Sequence, residues 1–154
     1  VLTLEDPARF NAWTRELAAD FLRTAQSLCR RRREVRTVLL RGSGAHFCVG
    51  ANPFEHKLRL PLPDAAAHHR ALFEGFEVLL ALRVPVVCAV HGKLVGGGVA
   101  ACLSADYIVA QRDATFEHGN LVRGVCPLSM FSRSLPHRVG LSRALRMYLL
   151  DETV

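Results

Sequence analysis

The sequence has little lysine, few aromatic residues and no long hydrophobic run. Only two of its 20 basic residues are lysines, and aromatic residues make up 7% of the 154 residues, although 50% are hydrophobic. The charge-free part of the glycine-rich middle, Leu94 to Ala105, is shorter than the roughly 18 apolar residues that a membrane span requires. No transmembrane helix is therefore expected, and the composition is that of one globular domain with its own core.

The sequence also lacks any C-x-x-C pair. Most of its five cysteines lie among apolar neighbours, which predicts reduced, buried thiols as in an intracellular protein, not a secreted disulfide scaffold. The chain opens on Val1 inside an apolar run, so we expect that the first residues and any targeting segment lie outside it. A cytoplasmic location is favoured, with mitochondrial and peroxisomal locations left open.

The basic character of the chain is local. The formal net charge of +6 falls to +2 without the four arginines of Arg30 to Arg33. A surface-wide positive field, typical of proteins that bind nucleic acid, is therefore not expected. Because the run follows an amphipathic stretch, a solvated helix C-terminus is favoured. Contact with the phosphates of an anionic cofactor or with a carrier protein is the alternative.

Short apolar runs alternate with amphipathic stretches along the chain, which predicts an α/β fold with crossover connections. Strands are expected at 1–4, 35–40, 86–90, 106–110 and 115–116. Helices are expected around 17–28, after an N-cap at Asp64, at 99–103 and at 141–150. No linker or repeat divides residues 1–154, which we interpret as one domain.

A glycine-rich loop is the strongest local signal for a binding site. Residues 91–100, HGKLVGGGVA, lead from an expected strand into an expected helix. Glycine lets a ligand atom approach the backbone, and the start of a helix presents unpaired N–H groups. The spacing fits neither G-x-x-x-x-G-K-[ST] nor G-x-G-x-x-G, so an oxyanion site is favoured over a nucleotide-phosphate site. Tight packing of the helix against the strand is the alternative.

A second loop, residues 45–52 with the sequence AHFCVGAN, also leaves a strand, so each loop could offer one N–H. The two loops resemble the motifs A-F-x-x-G-A-D and H-G-x-x-x-G-G-G of the enoyl-CoA hydratase/isomerase (crotonase) superfamily. Further matches follow in register at Asp6-Pro7, Asn11-Ala12, Pro85-Val86, 105–110 and 114–116. The chain is identified on these landmarks as a divergent member of that superfamily.

The resemblance implies a crotonase-like spiral of ββα units that binds an acyl thioester of coenzyme A or of a phosphopantetheine carrier protein, with no tightly bound cofactor. The two oxyanion donors of the family fall on the backbone N–H groups of Ala51 and Gly97. Around them, the expected substrate contacts are Val49, Gly50, Asn52, Gly96, Gly98, Ala100 and Arg123. A homotrimer or a dimer of trimers is implied, and no metal, nucleic-acid or membrane partner is expected.

The sequence departs from the hydratase pattern at the positions that carry acid and base chemistry. The two carboxylates of hydratases fall on Ala100 and Asn120. No Asp or Glu occurs at 78–105 or 118–150 to replace them, which puts hydration by two carboxylates in doubt.

His118 and Asn120 are the expected catalytic residues. A histidine can act as general acid or base near neutral pH, and an asparagine can donate or accept a hydrogen bond. A hydrogen-bonded, partly buried histidine and a shape-filling amide are the alternatives. Cys126 is expected to be a packed thiol, because the spacing implies no partner histidine.

Two classes of function remain open. An enzyme could stabilise a thioester enolate in the oxyanion hole, as a hydratase or dehydratase, an isomerase or a decarboxylase; decarboxylation would need only the hole and a proton donor. Superfamily members of polyketide biosynthesis show similar divergence. The alternative is a noncatalytic homologue that binds thioesters or completes an oligomer. Against the longer chains of the superfamily, we expect the C-terminal helical part to be missing.

Overall fold

The computed structural model describes residues 1–31, 33–51, 62–127 and 131–154, with the backbone alone at 62–66 and 68. In these ranges the strands are β1 (Leu2–Leu4), β2 (Val38–Gly42), β3 (Val86–Val90), β4 (Lys93–Val95), β5 (Tyr107–Ala110) and β6 (Thr115–Glu117). The helices are α1 (Arg15–Arg30), α2 (Leu62–Leu80), α3 (Gly97–Leu103), α4 (Phe131–Val139) and α5 (Leu141–Leu149). Short 3-10 turns lie at Pro7–Arg9 and Leu121–Arg123.

Two parallel sheets carry the fold. One sheet has the order β1, β2, β3, β5, and the other pairs β4 with β6. Each turn of the chain adds a strand to both sheets, first β3 and β4 and then, after α3, β5 and β6. An isolated bridge from Cys48 to Leu94 attaches the loop after β2 to the smaller sheet. This repeat of two strands and a helix confirms the predicted α/β class and ββα spiral.

An aromatic cluster joins α1 to α2. The rings of Trp13, Phe21 and Phe76 meet edge to face, with centroids 5.2 to 5.7 Å apart. Trp13 directly precedes Thr14, whose hydroxyl caps α1 by accepting a hydrogen bond from the Leu17 N–H over 3.1 Å. The cap and the cluster therefore hold Trp13 at a defined place beside the loop after β2.

Several element boundaries differ from the expectation. β3 has its predicted bounds, but α2 begins at Leu62, so Asp64 is not its N-cap. The sequence pattern did not predict β4, which lies inside the glycine-rich loop, or α4, which contains Pro136. Within the described ranges, no helix is long and apolar enough to cross a membrane.

Candidate active site

The glycine-rich loop, which contains β4 and the start of α3, lies directly against the loop after β2. The Val95 N–H donates a hydrogen bond to the Cys48 carbonyl over 3.1 Å. A Cβ on Gly50 would overlap the Val95 carbonyl oxygen and lie 3.4 Å from the Gly97 nitrogen. The missing side chain at Gly50 therefore lets the two backbones approach this closely.

Two backbone N–H groups at this junction have no acceptor among the residues that the structure describes. Gly97 is the first residue of α3, so its N–H has no partner within the helix. Among the described residues, neither this N–H nor that of Ala51 donates a hydrogen bond. The preceding residues, Gly50 at φ 83° and Gly96 at φ 49°, adopt left-handed φ values that favour glycine. The structure thus brings the two positions expected to carry the donors to one place.

Asn11 holds the loop after β2 in position. Its fully buried Nδ2 donates to the carbonyls of Ser43, His46 and Phe47 over 2.8, 2.9 and 3.1 Å. Its Oδ1 accepts a hydrogen bond from the Asp6 N–H over 2.8 Å. The sequence pattern indicates no role for Asn11 beyond its place in the family resemblance, because these loop partners lie 32 to 36 positions away in the chain.

Trp13 lies beneath the junction of the two loops. Its backbone N–H donates to the Gly50 carbonyl over 2.8 Å. Its indole Cδ1 and Nε1 lie 2.9 and 3.1 Å from the position that a Cβ on Gly97 would take. In the part of the chain that the structure describes, the buried indole N–H has no hydrogen-bond partner. The packing of Trp13 therefore excludes a side chain at Gly97.

Asn120 borders the glycine-rich loop from the side of β6. The Gly96 N–H donates to the Glu117 carbonyl over 3.0 Å, which attaches the end of β6 to the loop. The Asn120 Oδ1 lies 3.1 Å from the position of a Cβ on Gly96, and its Nδ2 donates to the Cys126 carbonyl over 3.3 Å. Asn120 therefore presents a carboxamide, which does not exchange a proton at useful pH, beside the donor loop.

His118 lies in an aromatic stack. It is 2% exposed, with its ring nearly parallel to that of Phe131 at a centroid distance of 4.4 Å and with Tyr148 at 4.8 Å. Its Nδ1 is buried and has no hydrogen-bond partner among the described residues. Burial lowers the pKa of His118, and its own backbone and the Asp151 carboxylate offset this only in part. The imidazole is therefore neutral at pH 7.

Arg123 contacts residues a few positions before it in the chain. Its Nη1 lies 3.2 Å from the Glu117 Oε1 and also donates to the Gly119 carbonyl. On the other side of this segment, the Asp151 Oδ1 accepts a hydrogen bond from the Gly119 N–H over 3.0 Å. The sequence pattern gives Asp151 no role, because it lies 32 positions from Gly119.

The remaining expected residues lie in different surroundings. Val49 is half-buried, Ala100 is half-buried in α3, and a Cβ on Gly98 would overlap the Cys48 carbonyl oxygen. Asn52 lies outside the described residues. Cys126 is exposed and not packed, because its segment follows the 3-10 turn at the surface. Within the described ranges, no group of three or more His, Cys, Asp or Glu side chains could hold a metal ion.

An apolar cavity of about 300 Å³ lies apart from the two donor positions. It is formed between α3, β5, β6, α4 and α5, and Val99, Phe116, Leu135 and Met147 are among its lining residues. Neither Ala51 nor Gly97 lines it, so this cavity is not the place where a ligand would meet the two N–H groups.

Comparison with known proteins agrees with the geometry of the two loops. The sequence profile of the family described as "Enoyl-CoA hydratase/isomerase" matches residues 1–154. The chain belongs to this family. The enoyl-CoA hydratase/isomerase resemblance drawn from the loop motifs is therefore confirmed.

Similar members of the enoyl-CoA hydratase/isomerase family are longer. "Probable enoyl-CoA hydratase echA12" of Mycobacterium leprae is 33% identical over 169 residues, which cover 100% of this chain and 54% of that protein. The "1,2-epoxyphenylacetyl-CoA isomerase" of Escherichia coli is 30% identical over 152 residues, which cover 97% of this chain and 58% of that protein. A crystal structure of an enoyl-CoA hydratase from Polaromonas sp. JS666 matches with a TM-score of 0.87 at 26% identity. The match covers 99% of this chain and 60% of that one. The chain thus spans little more than half the length of these relatives.

Proposed function

We propose that this protein is an enzyme that binds acyl-CoA thioesters and stabilises their enolates between the N–H groups of Ala51 and Gly97. The observation that supports this proposal is the close junction of the two loops, where both N–H groups lack an acceptor among the described residues. Charge on the thioester oxygen develops during the reaction, and one preorganised donor is typically worth about 3 kcal/mol there.

The reaction that best fits these residues is decarboxylation of a malonyl-type thioester. The bond from the α carbon to the carboxylate breaks, its electron pair remains as the enolate, carbon dioxide leaves, and a proton then adds to the α carbon. Forming the enolate in this way needs no catalytic base. This fits the sequence, which has Ala100 and Asn120 where hydratases have carboxylates. Hydration, dehydration and double-bond isomerisation would need a base, for which His118 is the candidate.

We propose that His118 passes on the proton that ends the reaction. A neutral imidazole can relay a proton, since one ring nitrogen carries it while the other accepts one. The lowered pKa of His118 keeps the ring in this form at pH 7. Asn120 would orient the acyl group by hydrogen bonding.

The test follows the intact protein with malonyl-CoA in deuterated water by NMR. Decarboxylation yields acetyl-CoA that carries deuterium at the α carbon, and crotonyl-CoA and butyryl-CoA report hydration and α-hydrogen exchange. Gly97→Val should lower turnover by about 100-fold or more, because the clash with Trp13 displaces the backbone N–H of residue 97. Ala110→Val, at an exposed position of β5, is the control.

Each outcome assigns a function. Turnover of crotonyl-CoA without decarboxylation would replace the decarboxylase proposal by a hydratase. Binding of all three thioesters without turnover or exchange would overturn the enzyme proposal in favour of a noncatalytic homologue. A thioester of a carrier protein, a role in polyketide biosynthesis, a homotrimer and an intracellular location stay predictions.

A further inference from the structure

The peptide groups of Gly119 are held by charged side chains from two directions. The Gly119 N–H donates to the Asp151 Oδ1 over 3.0 Å, and its carbonyl accepts from the Arg123 guanidinium. Arg123 also lies 3.2 Å from Glu117, which stabilises its position. Gly119 has φ 63°, a conformation that favours glycine. The backbone immediately before Asn120 is therefore oriented by ionic side chains, which form stronger hydrogen bonds than neutral ones.

Asp151 reaches this segment from a distant part of the chain. It follows the C-terminus of α5 and lies 32 positions from Gly119. It has φ 52°, a left-handed conformation that L residues rarely adopt, although Asp and Asn accept it more readily than most. A residue that adopts this backbone conformation while its side chain makes a defined hydrogen bond points to a function of that bond.

The side chain that depends on this contact is Asn120. Its backbone carbonyl accepts hydrogen bonds from the Arg123 and Val125 N–H groups over 3.1 and 2.9 Å, so it moves with its own turn. Its Oδ1 borders Gly96, one residue before the Gly97 donor. Rotation of the Gly119 peptide would therefore carry the carboxamide away from the glycine-rich loop.

We propose that Asp151 is a positioning residue, which fixes the Asn120 carboxamide against the glycine-rich loop by holding the Gly119 N–H. The expected effect of Asp151 on catalysis rests on the proposed function. The hydrogen bond from the Gly119 N–H to Asp151 can be tested without any turnover.

Three variants of the intact protein isolate the carboxylate. Asp151→Gly removes it and suits the left-handed φ, so the backbone is not strained. Asp151→Asn retains an oxygen acceptor without the charge. Glu152→Gly is the matched control, because it removes the neighbouring carboxylate, whose partner is the exposed Arg146.

The first measurement is NMR of the Gly119 amide and of the Asn120 side-chain amide. In Asp151→Gly, hydrogen exchange at Gly119 should be about 10-fold faster or more, and the Asn120 side-chain signals should shift. Asp151→Asn and Glu152→Gly should resemble the wild type. Unchanged protection at Gly119 and unchanged Asn120 signals in Asp151→Gly would overturn the proposal.

The second measurement is malonyl-CoA turnover in a double-mutant cycle with Asn120→Ala. Asp151→Gly should lower kcat by about 10-fold or more with KM changed less than about 2-fold, and Asp151→Asn should restore most of the rate. In the Asn120→Ala background Asp151→Gly should lower the rate no more than Asp151→Asn, which also removes the charge near His118, and additive losses would refute action through Asn120. If the wild type turns over no thioester, the proposed function fails, and the NMR result alone decides the role of Asp151.

Discussion

Replacing Gly50 by alanine should push apart the two loops that carry the proposed oxyanion donors. The added Cβ would overlap the Val95 carbonyl oxygen and lie 3.2 Å from the Val95 carbonyl carbon and 3.4 Å from the Gly97 nitrogen. All three atoms belong to the backbone, so no flexible side chain can turn aside to make room. The loop from Val95 to Gly97 must therefore move.

Gly140 offers a control with nearly the same φ for this substitution. Its φ of 82° equals that of Gly50, 83°, to within a degree, but nothing lies within 4 Å of its Cβ position. A positive φ should cost alanine about 1 to 3 kcal/mol at either site, and at Gly140 the accompanying ψ of 154° is one that almost only glycine adopts. The overlap at Gly50 should add about 1 to 3 kcal/mol, the usual range for overpacking. We therefore expect a loss of about 2 to 6 kcal/mol for Gly50→Ala and about 1 to 3 kcal/mol for Gly140→Ala.

Urea denaturation of the intact protein measures the free energies of unfolding. The rate of malonyl-CoA turnover reports whether the two N–H donors remain in place. Displacement of the Gly97 N–H should lower turnover of folded Gly50→Ala by about 100-fold, whereas Gly140→Ala should keep the wild-type rate. Equal stability and equal turnover of the two variants would show that the loops are not held in contact as described.

Three further predictions concern Asn11 and His118, whose side chains the structure buries beside the loops. Asn11→Gly should lower the free energy of unfolding by about 2 to 4 kcal/mol, because three loop carbonyls lose a buried donor. Glycine accepts the φ of 55° at this position, so the backbone is not strained. A loss below about 1 kcal/mol in urea denaturation would contradict this prediction. His118→Phe should keep the aromatic stack but lower turnover by about 100-fold, and an unchanged rate would assign His118 to packing alone. Burial lowers the pKa of His118 in the folded state, so below the ordinary pKa of 6.5 the unfolded state binds more protons than the folded state. As the pH falls below 6.5, the free energy of unfolding of the wild type should therefore decrease more steeply than that of His118→Phe.

The two loops can be located from the sequence because their requirement for glycine is local. A left-handed φ or a close backbone approach demands glycine at the residue itself, as at Gly50 and Gly96. The buried strand β3 was also predicted with its bounds, since a continuous apolar run between Pro85 and Gly92 is typical of a parallel strand. The assignment of the donors to Ala51 and Gly97 came from the resemblance to the family and stays a prediction.

The surroundings of the polar residues could not be predicted in the same way. His118 is buried because Phe131 and Tyr148 come from α4 and α5, and the pattern did not predict α4. Asn11 and Asp151 each act on residues about 30 positions away or further. Such contacts depend on how the turns of the spiral stack, which no local window of the sequence contains.

The sequence alone thus determined the class of fold, the family and the backbone positions where a side chain is excluded, because these properties follow from periodicity, motif order and residue size. It also showed that carboxylates are missing at Ala100 and Asn120. Only the tertiary structure decided that His118 is enclosed by aromatic rings and that Asp151 holds the peptide before Asn120. Protonation and orientation depend on burial and on partners distant in the chain, and folding alone brings these together.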